Sequence, residues 1–350
     1  MSTASFVQAL PKVELNVQLE GAIQPQTLAV IADQNEIYEK LKHFQDWVNL
    51  IKTPDYKRIN EIARMACSWL KFADNLTRVV YDLGTVLSKQ NVRYAEVSVN
   101  PGLFPELSLN YDDFLAAIND GRDRAKRAWG IEMAWIFVIG REEPRRSDEL
   151  ARWVSTASSR RGGVIGLGLS GDEKAQPVGQ FERAFHAVEK KEIARMVRAG
   201  DVQGAEGVLK AIEGLHPNRL LDGWGAADAP DVLAALADNG ITLAVNLTRA
   251  QKQGWVPTLA DYPLRHLYDA GISLVIGADM PNLYNTTISA EYLAAVEQCG
   301  LTLDELENLA LNAVRTSFMD EAVKAEMLKT FTETYTVLRA EHIEPVQEKP

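Results

Sequence analysis

Residues Phe181–Asp201 read FERAFHAVEKKEIARMVRAGD, and the way this stretch folds decides the architecture. Taken alone it is one helix, because Glu, Arg, Ala, Lys and Met are strong helix formers. The rest of the chain alternates between two patterns. Short, β-rich apolar runs occur at Lys12–Leu19, Arg93–Val99, Met133–Ile139, Val164–Leu169, Arg219–Trp224, Ile241–Asn246 and Ile272–Ala278, each with the character of a buried strand. Amphipathic stretches lie between them, among them Tyr111–Trp129, Asp231–Asn239, Tyr262–Ala270 and Leu303–Phe318, with helical periodicity. Such alternation specifies an α/β fold of parallel strands joined by right-handed helical crossovers. Seven strands leave a (β/α)8 TIM barrel one short. The barrel therefore requires a strand inside the quoted stretch, around Ile193–Arg198, where tertiary context must override local propensity.

The chain has 350 residues, and residues 1–350 are expected to form one barrel domain. Residues 25–89 are far longer than an ordinary crossover. They read as helical, with apolar positions at Leu41, Phe44, Val48 and Ile51 and a break at Thr53-Pro54. A helical insertion after the first strand would cap the C-terminal mouth, either as extra packing or as a lid over a pocket. Apolar residues make up 46% and charged residues 24%, the balance of a globular protein with a sizeable core. No apolar run approaches the roughly 18 residues of a membrane span, and the N-terminus lacks a secretory pattern. Cys67 and Cys299 are the only cysteines, too few for a disulfide framework, so the expected location is the reducing cytoplasm. A net charge of −11 with no dense basic face argues against nucleic acid as a partner. The expected partner is a small molecule, and the sequence leaves the oligomeric state open.

Several segments, in order along nearly the whole chain, resemble the adenosine deaminase family. Pro11–Ile23, PKVELNVQLEGAI, is similar to that family's opening, P-K-x-E-L-H-x-H-L-D-G. Phe44–Arg58 resembles its helical insertion, and Arg93–Phe104, RYAEVSVNPGLF, its second strand. Gly166–Glu173, GLGLSGDE, resembles its G-x-D-L-A-G-D-E turn. Asn285–Leu293 followed by Asn312–Phe318 resembles its C-terminal end. The resemblance implies a barrel enzyme in which H-x-H on strand one, the histidine of H-A-G-E on strand five and an aspartate of T-D-D-P on strand eight hold zinc. That zinc makes a bound water acidic enough to attack a purine ring. A strand-six histidine orients the water, and the glutamate of H-A-G-E moves the proton.

At the matching positions this chain carries other residues. The H-x-H positions are Asn16 and Gln18, and H-A-G-E appears as Arg198-Ala199-Gly200-Asp201. The strand-six histidine corresponds to Asp222, and T-D-D-P appears as Ala278-Asp279-Met280-Pro281. Only Asp279 of the four ligand positions keeps a ligand side chain. Neutral amides bind zinc poorly and an arginine repels it, so neither metal nor other cofactor is expected. The five histidines, His43, His186, His216, His266 and His342, lie elsewhere and show no metal-ligand spacing.

A mouth that carries Asn16, Gln18, Glu20, Arg198, Asp201, Asp222, Asn246, Arg249 and Asp279 has two readings. One is a salt-bridged plug in the old metal position. The other is a working site in which crowded carboxylates have their pKa values pushed apart, with Arg198 or Arg249 binding an anionic ligand group. The second reading makes Asp201, Asp222, Asp279 and Arg198 the catalytic candidates, Asp201 and Asp222 foremost for acid/base work. Asn16, Gln18, Glu20, Gly171, Asn246 and Arg249 are then the binding candidates. Gly171 stands where the resemblance places a purine contact and Glu20 where it places a ribose contact, whereas Met280 replaces an aspartate that bonds the base. Two functions follow as alternatives: a metal-independent lyase, isomerase, cyclase or hydrolase acting on a small polar, nucleoside-like molecule, or an inactive homologue that binds a nucleoside or a protein partner. Trp47, Trp69, Trp129, Trp135, Trp153 and Trp255 are expected in core or lid, and Trp224, beside Asp222, at the mouth.

Overall fold

The structure is a computed structural model, and it describes residues 2–36, 45–46, 49–50 and 55–343. The insertion positions Leu41, His43, Phe44, Trp47, Val48, Ile51, Thr53 and Pro54 lie outside the described residues. Eight parallel strands form one sheet in chain order: β1 (Lys12–Gln18), β2 (Val92–Val99), β3 (Glu132–Gly140), β4 (Val164–Ser170), β5 (Ala194–Ala199), β6 (Arg219–Asp222), β7 (Thr242–Val245) and β8 (Leu274–Ile276). The sheet curls until its edges meet. A parallel bridge joins Val17 to Asp279, where Gln18 N–H donates to Asp279 O at 2.8 Å and Asp279 N–H to Asn16 O at 2.6 Å. This is a (β/α)8 barrel with its helices outside.

The quoted stretch divides. Its first part is a helix, Glu182–Glu189, and the expected continuation fails at Glu192, whose φ of 56° ends the helical path. Ala194–Ala199 then becomes β5, paired with β4 from Gly166↔Ala194 to Leu169↔Val197 and with β6 from Met196↔Arg219 to Ala199↔Asp222. Two hydrogen-bonded neighbours and a buried slot outweigh propensity differences of a few tenths of a kcal/mol per residue.

Strand alternation sets what the barrel holds. Along β1, Lys12, Glu14, Asn16 and Gln18 alternate with Val13, Leu15 and Val17, and all seven are buried. The apolar set packs in the hydrophobic core. The polar set makes a ladder that ends at the C-terminal mouth. Low in the barrel Arg219 pairs with Glu96 at 2.6 Å, both almost fully enclosed. Higher up, Glu14 accepts from Asn16 N–H at 2.8 Å and Ala278 N–H at 3.1 Å. Gly277 makes room for it, since a Cβ there would lie 2.7 Å from Glu14 Oε1 and 2.6 Å from Asn16 Cβ.

Within residues 25–89 the described helices are Pro25–Gln34, Ile59–Cys67 and Ala73–Lys89. They do different jobs. Ala73–Lys89 is an outer-ring helix packed on Tyr111–Trp129, where Thr77 Oγ1 donates to Ala117 O at 2.9 Å. Ile59–Cys67 instead lies over the mouth. Among the tryptophans Trp135 is fully buried, but Trp129 is 44% exposed at a helix end rather than packed in the core. No described helix is long and apolar enough to cross a membrane.

Candidate functional site

The C-terminal ends of β1, β5, β6, β7 and β8 bring an ion cluster together at the mouth, where barrel enzymes build their sites. Arg198 Nη1 donates to Asp222 and its Nη2 donates to Asp279 at 2.6 Å. Arg249 Nη1 donates to the same oxygen of Asp222, and its Nη2 donates to Asp201 at 2.8 Å. Arg249 Nε lies 3.3 Å from Asp279 Oδ2, and Gln18 Nε2 donates to Asp279 Oδ1. Two guanidiniums and three carboxylates thus interlock.

The backbone holds these groups in uncommon conformations. Asp222 and Asp279 both have positive φ, 71° and 54°, a region that costs a non-glycine residue on the order of 1 kcal/mol or more. Arg141 Nη2 donates to the carbonyl of Arg198 at 3.0 Å, which fixes the end of β5. Beyond it, the Glu173 carboxylate accepts from the N–H groups of Gly200, Val202 and Gln203 at 2.8, 2.7 and 3.1 Å. That clamp sets the turn carrying Asp201. The GLGLSGDE motif therefore supplies the anchor of the strand-five turn as well as Gly171.

The sequence-predicted residues separate into groups. Arg198, Arg249, Asp279, Gln18 and Gly171 line a cavity of about 70 Å³, together with Asn60 and Arg64 from the Ile59–Cys67 helix. Asp201 and Asp222 do not line it, and connect to it through the guanidiniums they bind. Asn246 is taken up locally: it caps the Leu247–Lys252 helix, accepting from Arg249 N–H, and donates to Gly277 O at 2.7 Å. Glu20 accepts from Asn100 N–H and holds the turn after β2. Asn16 is buried, and neither atom of its side-chain amide has a partner among the described residues. Asp201 Oδ1 and Asp279 Oδ2 are also buried without a hydrogen bond.

Burial drives the titration of the site. It pushes the Asp222 carboxyl up to about 7, the guanidiniums offsetting it only in part. Burial likewise raises Glu20 to about 7 and Glu14, beneath the cluster, to about 8. Sequence reasoning missed Glu14 as a site residue, although its place two residues before Asn16 on a strand puts it on the same face. It also missed Tyr284, whose hydroxyl accepts from Arg249 Nε at 3.3 Å and from Gln253 Nε2 at 2.9 Å. Trp255, expected in core or lid, lies with its ring centre 4.7 Å from the Arg249 guanidinium and stacks on Trp224.

The family profile described as adenosine deaminase matches residues 11–334. The chain belongs to the adenosine deaminase family. It is 28% identical to the aminodeoxyfutalosine deaminase of Streptomyces avermitilis over 95% of this chain and 93% of that one. It is 27% identical to the adenine deaminase of Sinorhizobium medicae over 91% and 97%. Among solved structures, a zinc-bound amidohydrolase from Burkholderia ambifaria superposes with a TM-score of 0.88 at 24% identity, covering 97% and 95% of the two chains. The N6-methyl-AMP deaminase of Arabidopsis thaliana gives 0.84 at 20% identity over 97% and 100%. Both likenesses show the barrel fold.

Proposed function

We propose that this member of the adenosine deaminase family is a metal-independent enzyme acting on a small polar, nucleoside-like molecule at the barrel mouth. The zinc that the family resemblance implies does not fit the residues present. Asn16 and Gln18 offer neutral amides, and Arg198 brings a cation into the ligand shell, bound to Asp222 and Asp279. A divalent cation there would face a guanidinium at bonding range, so no step is routed through a metal.

The observation that carries the reading is the set of buried polar atoms without partners around the ion cluster. A closed plug would satisfy them, because each orphan costs on the order of 1–3 kcal/mol. Among the described residues both Asn16 amide atoms and Asp201 Oδ1 are left without a partner, and Asp279 Oδ2 has only the 3.3 Å ion pair with Arg249 Nε. Asp279, at the cavity, is the group placed to exchange a proton with substrate. Asp222, raised to about 7, stands behind Arg198 and Arg249 and tunes their charge, and the two guanidiniums stabilise negative charge that develops on the substrate. Gln18, which lines the cavity, is suited to orient the ligand, whereas Asn16 lies buried behind it. A cavity of about 70 Å³ has room for water-sized groups only, so a nucleoside would enter by displacing the Ile59–Cys67 helix. The saturation of both arginines by carboxylates favours one other reading, an inactive homologue that binds its ligand without turnover.

The test is a thermal-shift screen of purine bases, nucleosides and nucleotides on chelator-treated protein, followed by turnover assays on any stabilising compound. Chelator-insensitive turnover that Asp279→Asn lowers by about 100-fold or more supports the proposal. Turnover that appears only when zinc is restored, on a zinc ion whose binding Asp279→Asn abolishes, would refute metal independence. Stabilisation without turnover would establish the inactive homologue.

A further inference from the structure

We propose that the opposite, N-terminal face of the barrel carries a structural zinc site formed by His186, Glu189 and His216. The sequence gives no hint of it. His186 and Glu189 are three residues apart on the Glu182–Glu189 helix and so share one face, while His216 follows the Gly204–Leu215 helix 27 residues further on. The fold brings them together. One ligand atom from each lies within 4.8 Å of the others, and the two imidazole ring centres are 5.1 Å apart.

A second observation points to a ligand. His186 Nε2 is buried and has no hydrogen-bond partner among the described residues, which leaves a lone pair or a proton unanswered. His216 Nδ1 contacts both Glu189 oxygens, at 3.0 and 3.1 Å. The positions are also held. His216 has a left-handed backbone at the helix end, φ 45°, and its carbonyl accepts from Arg195 Nε at 2.7 Å. Arg195 Nη2 lies 3.6 Å from Glu189 and would remain a neighbour of the bound carboxylate. Two imidazoles and one carboxylate form a zinc donor set. Tetrahedral coordination needs the three ligand atoms drawn closer than 4.8 Å, with water from the open side of the site as the fourth ligand.

Place decides the role. The Glu182–Glu189 helix leads into β5 and His216 into β6, so a zinc ion would staple together the approaches to two adjacent strands. The N-terminal face of a barrel carries stability rather than chemistry. The site is therefore structural and independent of the mouth.

The experiment is calorimetric titration of the chelator-stripped full chain with zinc alone, beside His186→Ala, His216→Ala and Glu189→Gln variants. Expected are one saturable site in the parent chain, a zinc-dependent rise in Tm, and a loss of affinity in each histidine variant beyond the ~10–100-fold that removing an outer-shell partner brings. Without zinc the variants should melt with the parent chain; if a histidine variant does not fold, Glu189→Gln, at a half-buried position, gives the answer. Absence of saturable binding, or binding that the variants leave unchanged, overturns the proposal. The same variants separate the two sites: zinc lost with His216→Ala belongs to the outer face, and zinc that persists belongs to the mouth.

Discussion

Replacing Arg198 with methionine would strand two carboxylates in the barrel. Arg198 is bonded to Asp222 and Asp279, whose side chains are each only 1% exposed, and methionine fills similar space without charge. The three carboxylates of the cluster would then share the single guanidinium of Arg249. Removing one partner of a buried pair costs about 3–5 kcal/mol, because the other charge stays out of water. With an unfolding entropy of about 2.1 cal/mol/K per residue, that corresponds to a fall in Tm of roughly 4–7 °C for a chain of 350 residues. Part of the deficit should depend on pH. Asp222, already raised to about 7, takes up a proton as pH falls, and the stranded charge shrinks with it. Urea unfolding of the two proteins at pH 8 and pH 5.5 measures both effects. Adding Asp222→Asn to the Arg198→Met chain should recover a substantial part of the loss by removing one stranded carboxylate. A loss below about 1 kcal/mol at pH 8, or no recovery in the double variant, would refute the electrostatic account of the mouth.

The parent chain should itself lose stability as pH rises from about 4 to 8. Glu14, Glu20 and Asp222 are raised to about 8, 7 and 7 against unfolded values near 4, so in that window the native state holds protons that the unfolded state has released. Lys12, lowered to about 7 by burial, acts in the opposite sense between about 7 and 10, where the unfolded chain binds the extra proton. Chemical denaturation across pH, with Glu14→Gln flattening the acid-side fall, checks both signs. Gly277→Ala should destabilise by about 1–3 kcal/mol, since its Cβ would press on Glu14 and Asn16 with little room to give. Gly179→Ala, whose added atom meets nothing nearer than 3.8 Å, is the matched control in the same melts.

Much of the fold was legible because barrel strands and helices are locally patterned. The Tyr111–Trp129 helix has its ends written in the chain: Asn110 caps it by accepting from Asp113 N–H, and Gly130 leaves it at φ 72°. The strand runs were visible because buried parallel strands read as β-rich apolar segments. The Ala194–Ala199 strand was not, since its residues prefer a helix and only pairing with β4 and β6 makes it a strand. At the mouth, the resemblance to the family's motifs marked which residues stand at the C-terminal ends of the strands. It did not say which of them would be spent on backbone, as Asn246 and Glu20 are. Nor did it show that Trp255 and Tyr284 would meet Arg249.

The sequence by itself determined the alternation of strand and helix and the family to which the chain belongs. It also determined the residue types at the ends of β1, β5, β6 and β8, because periodicity and motif order are local properties. Only the tertiary structure decided that Arg198 lies between Asp222 and Asp279, that Asp201 and Asp222 stand back from the cavity, and that His186 and His216 meet across 30 residues of chain. The reason is physical. Closing the barrel joins β1 to β8 and β5 to both neighbours, and this sets the desolvation and the distances on which charge pairing and metal affinity depend.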